Sequence, residues 1–95
     1  MLQINYHKGV FEIKGKLESE NSKSITSYFN SLFKVSPKII ISLKELKKID
    51  SSGIQSLIEL HNYSMRNNKV FHIIGKTNEK IRKKISHSKL NYIIE

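Results

Sequence analysis

Two short apolar runs rich in β-branched side chains restrict the possible folds of this chain more than any other feature. One runs from Lys38 to Leu43 and the other from Val70 to Ile74. Mainly apolar segments of this length, here interrupted only by Ser42 and His72, are typical of strands that are buried on both faces of a parallel sheet. The intervening segment is long enough for a helix, so the pair predicts a right-handed β-α-β crossover. These runs indicate an α/β domain.

The chain is predicted to open with a hairpin. Residues 2–6 alternate apolar and polar side chains, and residues 10–14 form a second strand-like run. Gly9, in the intervening turn, can adopt the positive φ that tight hairpins need. The second strand is expected to stop at Gly15. A hairpin joined to a parallel unit predicts a mixed sheet.

Three segments carry apolar residues at helical spacing. The first is expected to begin at Asn21 or Ser22, and the second follows residues 50–53. The third is short and begins at Thr77 or Asn78. Side chains of these types accept hydrogen bonds from the free N–H groups of a first helical turn. The apolar positions are Ile25, Phe29, Leu32 and Phe33, then Ile54, Leu57, Ile58, His61 and Met65, then Ile81 and Ile85.

A final short strand is predicted at residues 92–94, Tyr-Ile-Ile. The expected order is therefore β-β-α-β-α-β-α-β, with helices on a mixed sheet of four to five strands. The length of 95 residues fits one small domain, which we expect to span residues 1–95.

The composition excludes several kinds of chemistry. There is no cysteine, which rules out disulfides, a thiol nucleophile and cysteine-based metal sites. The four histidines are not spaced as metal ligands, and no nucleophile elbow is present. We therefore expect no metal site, no cofactor and no enzymatic activity. The longest apolar run is three residues and no secretion signal is visible, so we expect a cytoplasmic protein without membrane insertion.

The net charge of +9 has two interpretations. It can attract an acidic partner, or it can reflect a lysine-rich composition spread over a solvated surface. No motif of a nucleic-acid-binding module is present, so we expect no direct nucleic-acid contact. Several lysines can share an edge of the sheet, where they would steer an acidic partner, pair with a phosphate or simply be solvated: Lys44, Lys47, Lys48, Lys76 and Lys80.

The most informative local motif is Asp50-Ser51-Ser52-Gly53, between a strand region and a helix. Ser52 and Gln55 have the spacing of a capping box, in which each side chain bonds the other residue's N–H. Ser51 would then lie just outside the helix with a free hydroxyl, where the helix dipole tolerates a phosphoryl group. The plainer alternative is that these residues do no more than start a helix.

This motif and its surroundings resemble the STAS domain, the fold of bacterial anti-sigma factor antagonists and of the cytoplasmic tail of sulfate transporters. The segment 50–54, Asp-Ser-Ser-Gly-Ile, matches the family's signature in full. The segment 15–18, Gly-Lys-Leu-Glu, is similar to the family's Gly-x-Leu-Asp, with Glu18 in place of Asp. The segment 88–90, Ser-Lys-Leu, is similar to Ser-Gly-Leu, with Lys89 where glycine is common.

The resemblance implies a phosphorylation switch with Ser51 as the phosphoacceptor. In antagonists of this type a GHKL-type serine kinase, which is also the anti-sigma factor, phosphorylates the first serine. The unphosphorylated domain binds that partner and frees the sigma factor, and a metal-dependent serine phosphatase resets the switch. ATP and magnesium belong to the kinase.

The same resemblance suggests which residues a partner would contact. Four belong to or follow the motif and four lie on neighbouring loops: Asp50, Ser52, Gly53, Ile54, Lys16, Glu18, Lys76 and Thr77. An alternative within the family is a subunit of a membrane lipid-transport ATPase that works without phosphorylation. A basic nucleic-acid-binding domain is a third, more distant alternative.

Overall fold

The computed structural model describes all 95 residues and contains five strands and four helices. The strands are β1 Leu2–His7, β2 Val10–Leu17, β3 Lys38–Ser42, β4 Leu46–Ile49 and β5 Val70–Ile74. The helices are α1 Ser22–Phe33, α2 Ser51–Arg66, α3 Glu79–Lys84 and α4 Leu90–Ile93. The predicted small α/β domain with a mixed sheet is confirmed. None of the helices has both the length and the apolar character needed to cross a bilayer.

The sheet has the order β1-β2-β3-β5, and β4 pairs with β2. Only β1 and β2 are antiparallel, and the other pairs are parallel. The hairpin turn consists of Lys8 and Gly9, both at positive φ (50° and 83°). Two positive φ values are what a type I′ turn requires, and this turn matches the twist of the flanking strands.

Strand β2 does not stop at Gly15, as the sequence suggested, but continues through a bulge to Leu17. Gly15 has a φ of +95°, and a Cβ there would collide with the backbone carbonyl of Met1. The pairing register shifts at this point. The first half of β2 therefore pairs with β3, and its second half pairs with β4, a strand that is absent from the predicted order.

The core lies between the sheet and helices α1 and α2. Two aromatic side chains of α1 contact the sheet edge-on: Phe29 lies 5.4 Å from Phe11 of β2, and Phe33 lies 5.6 Å from Phe71 of β5, measured between ring centroids. Phe33 also lies 5.7 Å from the ring of Tyr63 on α2. This packing fixes α1 and α2 side by side over one face of the sheet.

The prediction of a final strand at residues 92–94 is wrong, because these residues belong to helix α4 and its C-cap. Leu90 and Ile94 are buried, whereas Tyr92 is 87% exposed. A strand would bury all three side chains on one face, but a helical turn buries only the first and last. Only Glu95 pairs with the sheet, its N–H donating to the carbonyl of Ile73 over 2.8 Å.

Candidate functional site

The two helices α1 and α2 begin at the same edge of the sheet. The end of β2 pairs with the end of β4, with Leu17 opposite Ile49. Since both strands run in parallel, the loop 18–21 that leads into α1 lies beside the start of α2. A hydrogen bond of 3.2 Å from the N–H of Asp50 to the carbonyl of Leu17 joins the two segments.

Asp50 is the N-cap of α2. Its Oδ1 accepts a hydrogen bond of 2.9 Å from the N–H of Gly53, and its Oδ2 accepts one of 3.0 Å from the N–H of Ser19. The prediction that Ser52 caps the helix together with Gln55 is wrong. A carboxylate has two acceptor oxygens and can satisfy donors from both segments, which a single hydroxyl cannot do as well.

These contacts keep Asp50 ionised. The N–H of Gly53, and less strongly that of Ser19, lowers the pKa of the Asp50 carboxyl below its ordinary value of 3.8, although partial burial opposes the change. Both carboxylate oxygens are occupied by backbone donors. A fixed negative charge therefore lies beside Ser51, and the lowered pKa makes this carboxylate a weak base.

The replacement Asp50→Asn is expected to lower the free energy of unfolding by about 1 kcal/mol at neutral pH, because an amide oxygen serves only one of the two N–H donors. The folded-state pKa is the lower one, so the contribution of the carboxylate is complete above pH 3.8 and is lost as the pH falls through the folded pKa. Urea unfolding should show the difference between the two proteins shrinking below that pH. A difference that grows on acidification would contradict this role.

Ser51 is exposed and is the first residue of α2, not a residue outside the helix as expected. Its hydroxyl makes no hydrogen bond within the chain. By contrast, the hydroxyl of Ser56, one turn further on, donates to the carbonyl of Gly53 over 2.8 Å and is buried. The hydroxyl of Ser51 is therefore accessible to other molecules.

Gly53 packs the start of α2 against β2. A Cβ at this position would collide with the backbone carbonyl of Leu17 and would lie 2.9 Å from Cγ1 of Ile49. Gly53 is buried, and this packing by itself leaves no room for a larger residue. The next residue, Ile54, is half-buried and borders the exposed start of the helix.

A polar groove, which the sequence analysis missed, runs between α1 and α2 close to Ser51. Its eight lining residues include no hydrophobic side chain: Ser22, Lys23, Thr26, Ser27, Ser52, Gln55, Ser56 and Glu59. Ser52 is half-buried in this groove. The repeated hydroxyl residues on the polar side of α1 hint at such a groove in the sequence. Only the packing of the two helices brings them next to the polar residues of α2.

The remaining predicted contact residues fall into two groups. Lys16 is exposed, and Glu18 is half-buried with its N–H held by Asn21 Oδ1 at 2.9 Å, so both lie on the strand end and loop beside Asp50. Lys76 and Thr77 are exposed on a different segment. That segment is fastened by Asn78, whose amide donates to the carbonyls of residues 43, 44 and 46. It is therefore joined to the connection between β3 and β4, the segment that leads through β4 to the start of α2.

Comparisons with known proteins place the chain in a family. No curated protein sequence matches it significantly. The anti-sigma factor antagonist SpoIIAA in its unphosphorylated form superimposes with a TM-score of 0.76 at 17% identity, covering 100% of this chain and 86% of that one. The Bacillus SpoIIAA in its phosphorylated form gives 0.70 at 16%, covering 100% and 89%.

A sulfate transporter family protein from Wolinella succinogenes has a TM-score of 0.64 at 11% identity, covering 95% of this chain and 79% of that one. At these identities the three structures establish a shared fold. The family model of the STAS domain matches residues 1–95, the whole of the sequence. This protein therefore belongs to the STAS domain family.

Proposed function

We propose that this protein is an anti-sigma factor antagonist, a binding module that changes partners when Ser51 is phosphorylated. The observation that carries the proposal is the exposed, unbonded hydroxyl of Ser51 on the first turn of α2. SpoIIAA, which shares the fold, exists in an unphosphorylated and a phosphorylated form. The chain contributes a substrate hydroxyl and no catalytic group of its own.

In the unphosphorylated state the start of α2 and the loop beside it form the docking surface. Ser51 lies at its centre, with Ser52 and Ile54 on the helix and Lys16 and Glu18 on the neighbouring segment. The partner is an anti-sigma factor that is also a GHKL-type serine kinase. While this domain occupies the partner, the partner cannot hold the sigma factor.

The chemistry of the switch is supplied by the kinase with its ATP and magnesium. The Ser51 oxygen forms a bond to the γ-phosphorus of ATP, the bond from that phosphorus to the bridging oxygen breaks, and ADP leaves. The hydroxyl proton passes to a base of the kinase, because the lowered pKa of Asp50 makes its carboxylate a weak base. Asp50 orients the helix start and does not remove the proton.

The phosphorylated state is stable in the free domain but unfavourable in the complex. A phosphoserine carries about −1.5 to −2 charges, which free N–H groups and the dipole of a helix N-terminus accommodate. In a closed interface the same dianion loses its water and needs positive partners. A serine phosphatase then removes the phosphate and restores binding.

Incubation of the protein with the GHKL-type kinases of its organism and ATP tests this function. We expect one kinase to bind the chain, transfer one phosphate per chain and then release it. Stable co-purification with a lipid-transport ATPase and no phosphate would instead support the alternative of a transporter subunit. Complex formation with no loss of affinity after phosphorylation would contradict the switch.

A further inference from the structure

The positive charge of this protein is concentrated in two segments that the fold brings together. Residues 44–48 and 76–89 contain nine of the 17 basic residues and only two of the eight acidic ones, and so they carry +7 of the net +9. These segments make up about a fifth of the chain. Lysines spread evenly over a solvated surface would not place most of the net charge in so small a part of the chain.

Packing of α3 against β4 joins the two segments into one surface, which we call the lysine face. It consists of Lys47 and Lys48 on β4 and Lys80 and Lys84 on α3. All four residues are exposed, and together with the buried residues Ile49 and Ile81 they line one depression. The face adjoins the start of α2, because Ile49 immediately precedes Asp50.

No carboxylate lies within 4 Å of the ammonium groups of these four lysines. The nearby Glu79 is shared by Arg82 at 3.9 Å and Lys83 at 4.0 Å. Four like charges around one depression repel each other, which slightly destabilises the isolated domain. An acidic ligand would relieve that repulsion.

The chemistry of the face favours an acidic protein over other polyanions. The depression has a volume of about 190 Å³, which is small for an enclosed organic ligand. Lysines without aromatic neighbours offer no stacking platform for bases, and the one arginine of the region, Arg82, lies beside Glu79. Helix α3 has its central apolar residue, Ile81, buried, and so it has no apolar face to insert into a membrane.

We propose that the lysine face binds an acidic surface of the protein partner that also covers Ser51. This inference rests on the proposed function, and it names the chemistry of the partner. It also strengthens the switch: a phosphate on Ser51 repels an acidic partner and reduces the positive field that attracts it. The complex is therefore expected to weaken with rising salt, and the phosphorylated protein should lose part of that salt dependence.

Two variants of equal charge test the inference. In the face variant Lys47, Lys48, Lys80 and Lys84 are all changed to Gln. In the control variant four basic residues remote from the face, Lys8, Lys34, Lys38 and Lys69, are changed to Gln. Binding of a labelled oligoglutamate peptide is measured by fluorescence anisotropy from about 50 to about 200 mM salt. A short DNA duplex and phosphatidylserine vesicles serve as competing probes.

The face variant should bind the peptide about tenfold more weakly than the wild type, and its affinity should depend less on the salt concentration. The affinity of the control variant should stay within about threefold of the wild-type value. Equal losses in both variants, or no loss in the face variant, would overturn the inference. Face-dependent binding of DNA or vesicles that is tighter than peptide binding at about 150 mM salt would overturn it in favour of that partner.

Phosphorylation and binding of the same variants by the kinase show whether this inference or the proposed function has failed. If the kinase phosphorylates Ser51 and binds the face variant as tightly as the wild type, the switch stands and the lysine face is not part of it. If no kinase modifies Ser51 while the face variant alone loses the peptide, the face stands as an acidic-protein site and the switch fails. The control variant should unfold close to the wild-type urea midpoint, and the face variant at or slightly above it, because its four mutually repelling charges are removed.

Discussion

Phosphorylation of Ser51 is expected to weaken the complex with the kinase about a thousandfold, which corresponds to about 4 kcal/mol. The side chain is exposed at the first turn of α2, in the middle of the proposed docking surface. A dianion that is sealed there loses its hydration and lies next to the fixed negative charge of Asp50. No change of fold is needed for this effect.

Calorimetric titration of the kinase with the phosphorylated and unphosphorylated protein measures the effect. The replacement Ser51→Asp brings one negative charge instead of two and should weaken binding less, by about ten- to a hundredfold. Ser51→Ala should bind about as tightly as the wild type and remain bound in the presence of ATP. Equal affinities of the phosphorylated and unphosphorylated proteins would refute the electrostatic account.

The replacement Gly53→Ala is expected to lower the free energy of unfolding by about 3 kcal/mol. The added Cβ meets a backbone carbonyl, that of Leu17, and the side chain of Ile49 at 2.9 Å. The carbonyl cannot move away easily, because Leu17 is paired with Ile49 and accepts the N–H of Asp50. The start of α2 would therefore have to move away from the sheet.

Gly9→Ala is the matched control for this prediction. Gly9 has a φ of +83° but nothing lies within 4 Å of its added Cβ, so its cost is only the backbone conformation, about 1 kcal/mol. Urea unfolding followed by circular dichroism gives both values. If the two variants are destabilised equally, steric contact at Gly53 does not explain the glycine of the motif.

Some elements were predictable from local sequence and others were not. The strands β3 and β5 follow directly from their apolar runs. Strand β4 was missed because its buried residues, Leu46 and Ile49, are separated by two exposed lysines and show no alternation. It becomes a strand only through pairing with the second half of β2, beyond the Gly15 bulge.

The C-terminal error has a similar cause. Apolar residues at positions 90, 92 and 94 fit both a strand and a helical turn, and burial decides between them. Tyr92 is exposed while Leu90 and Ile94 are buried, which only the helix allows. No local feature of the sequence predicts which of these side chains is buried in the core.

At the candidate site the sequence predicted the start of a helix but not its cap. The cap itself is local, since Asp50 accepts the N–H of Gly53, but its second bond, from the N–H of Ser19, links it to a segment 31 residues away. The lysine face was likewise only suspected, because its two pairs of lysines are separated by some thirty residues and meet through the packing of α3 on β4. Contacts between distant segments therefore account for the second bond of the cap and for the lysine face.

The most direct test of the central claim is to locate the phosphate by tandem mass spectrometry after reaction with the kinase. Ser51 and Ser52 are adjacent, but one is free and exposed and the other is half-buried in the groove. The account predicts a single phosphate on Ser51, abolished in Ser51→Ala and retained in Ser52→Ala. A phosphate found on Ser52, or incorporation that persists in Ser51→Ala, would contradict it.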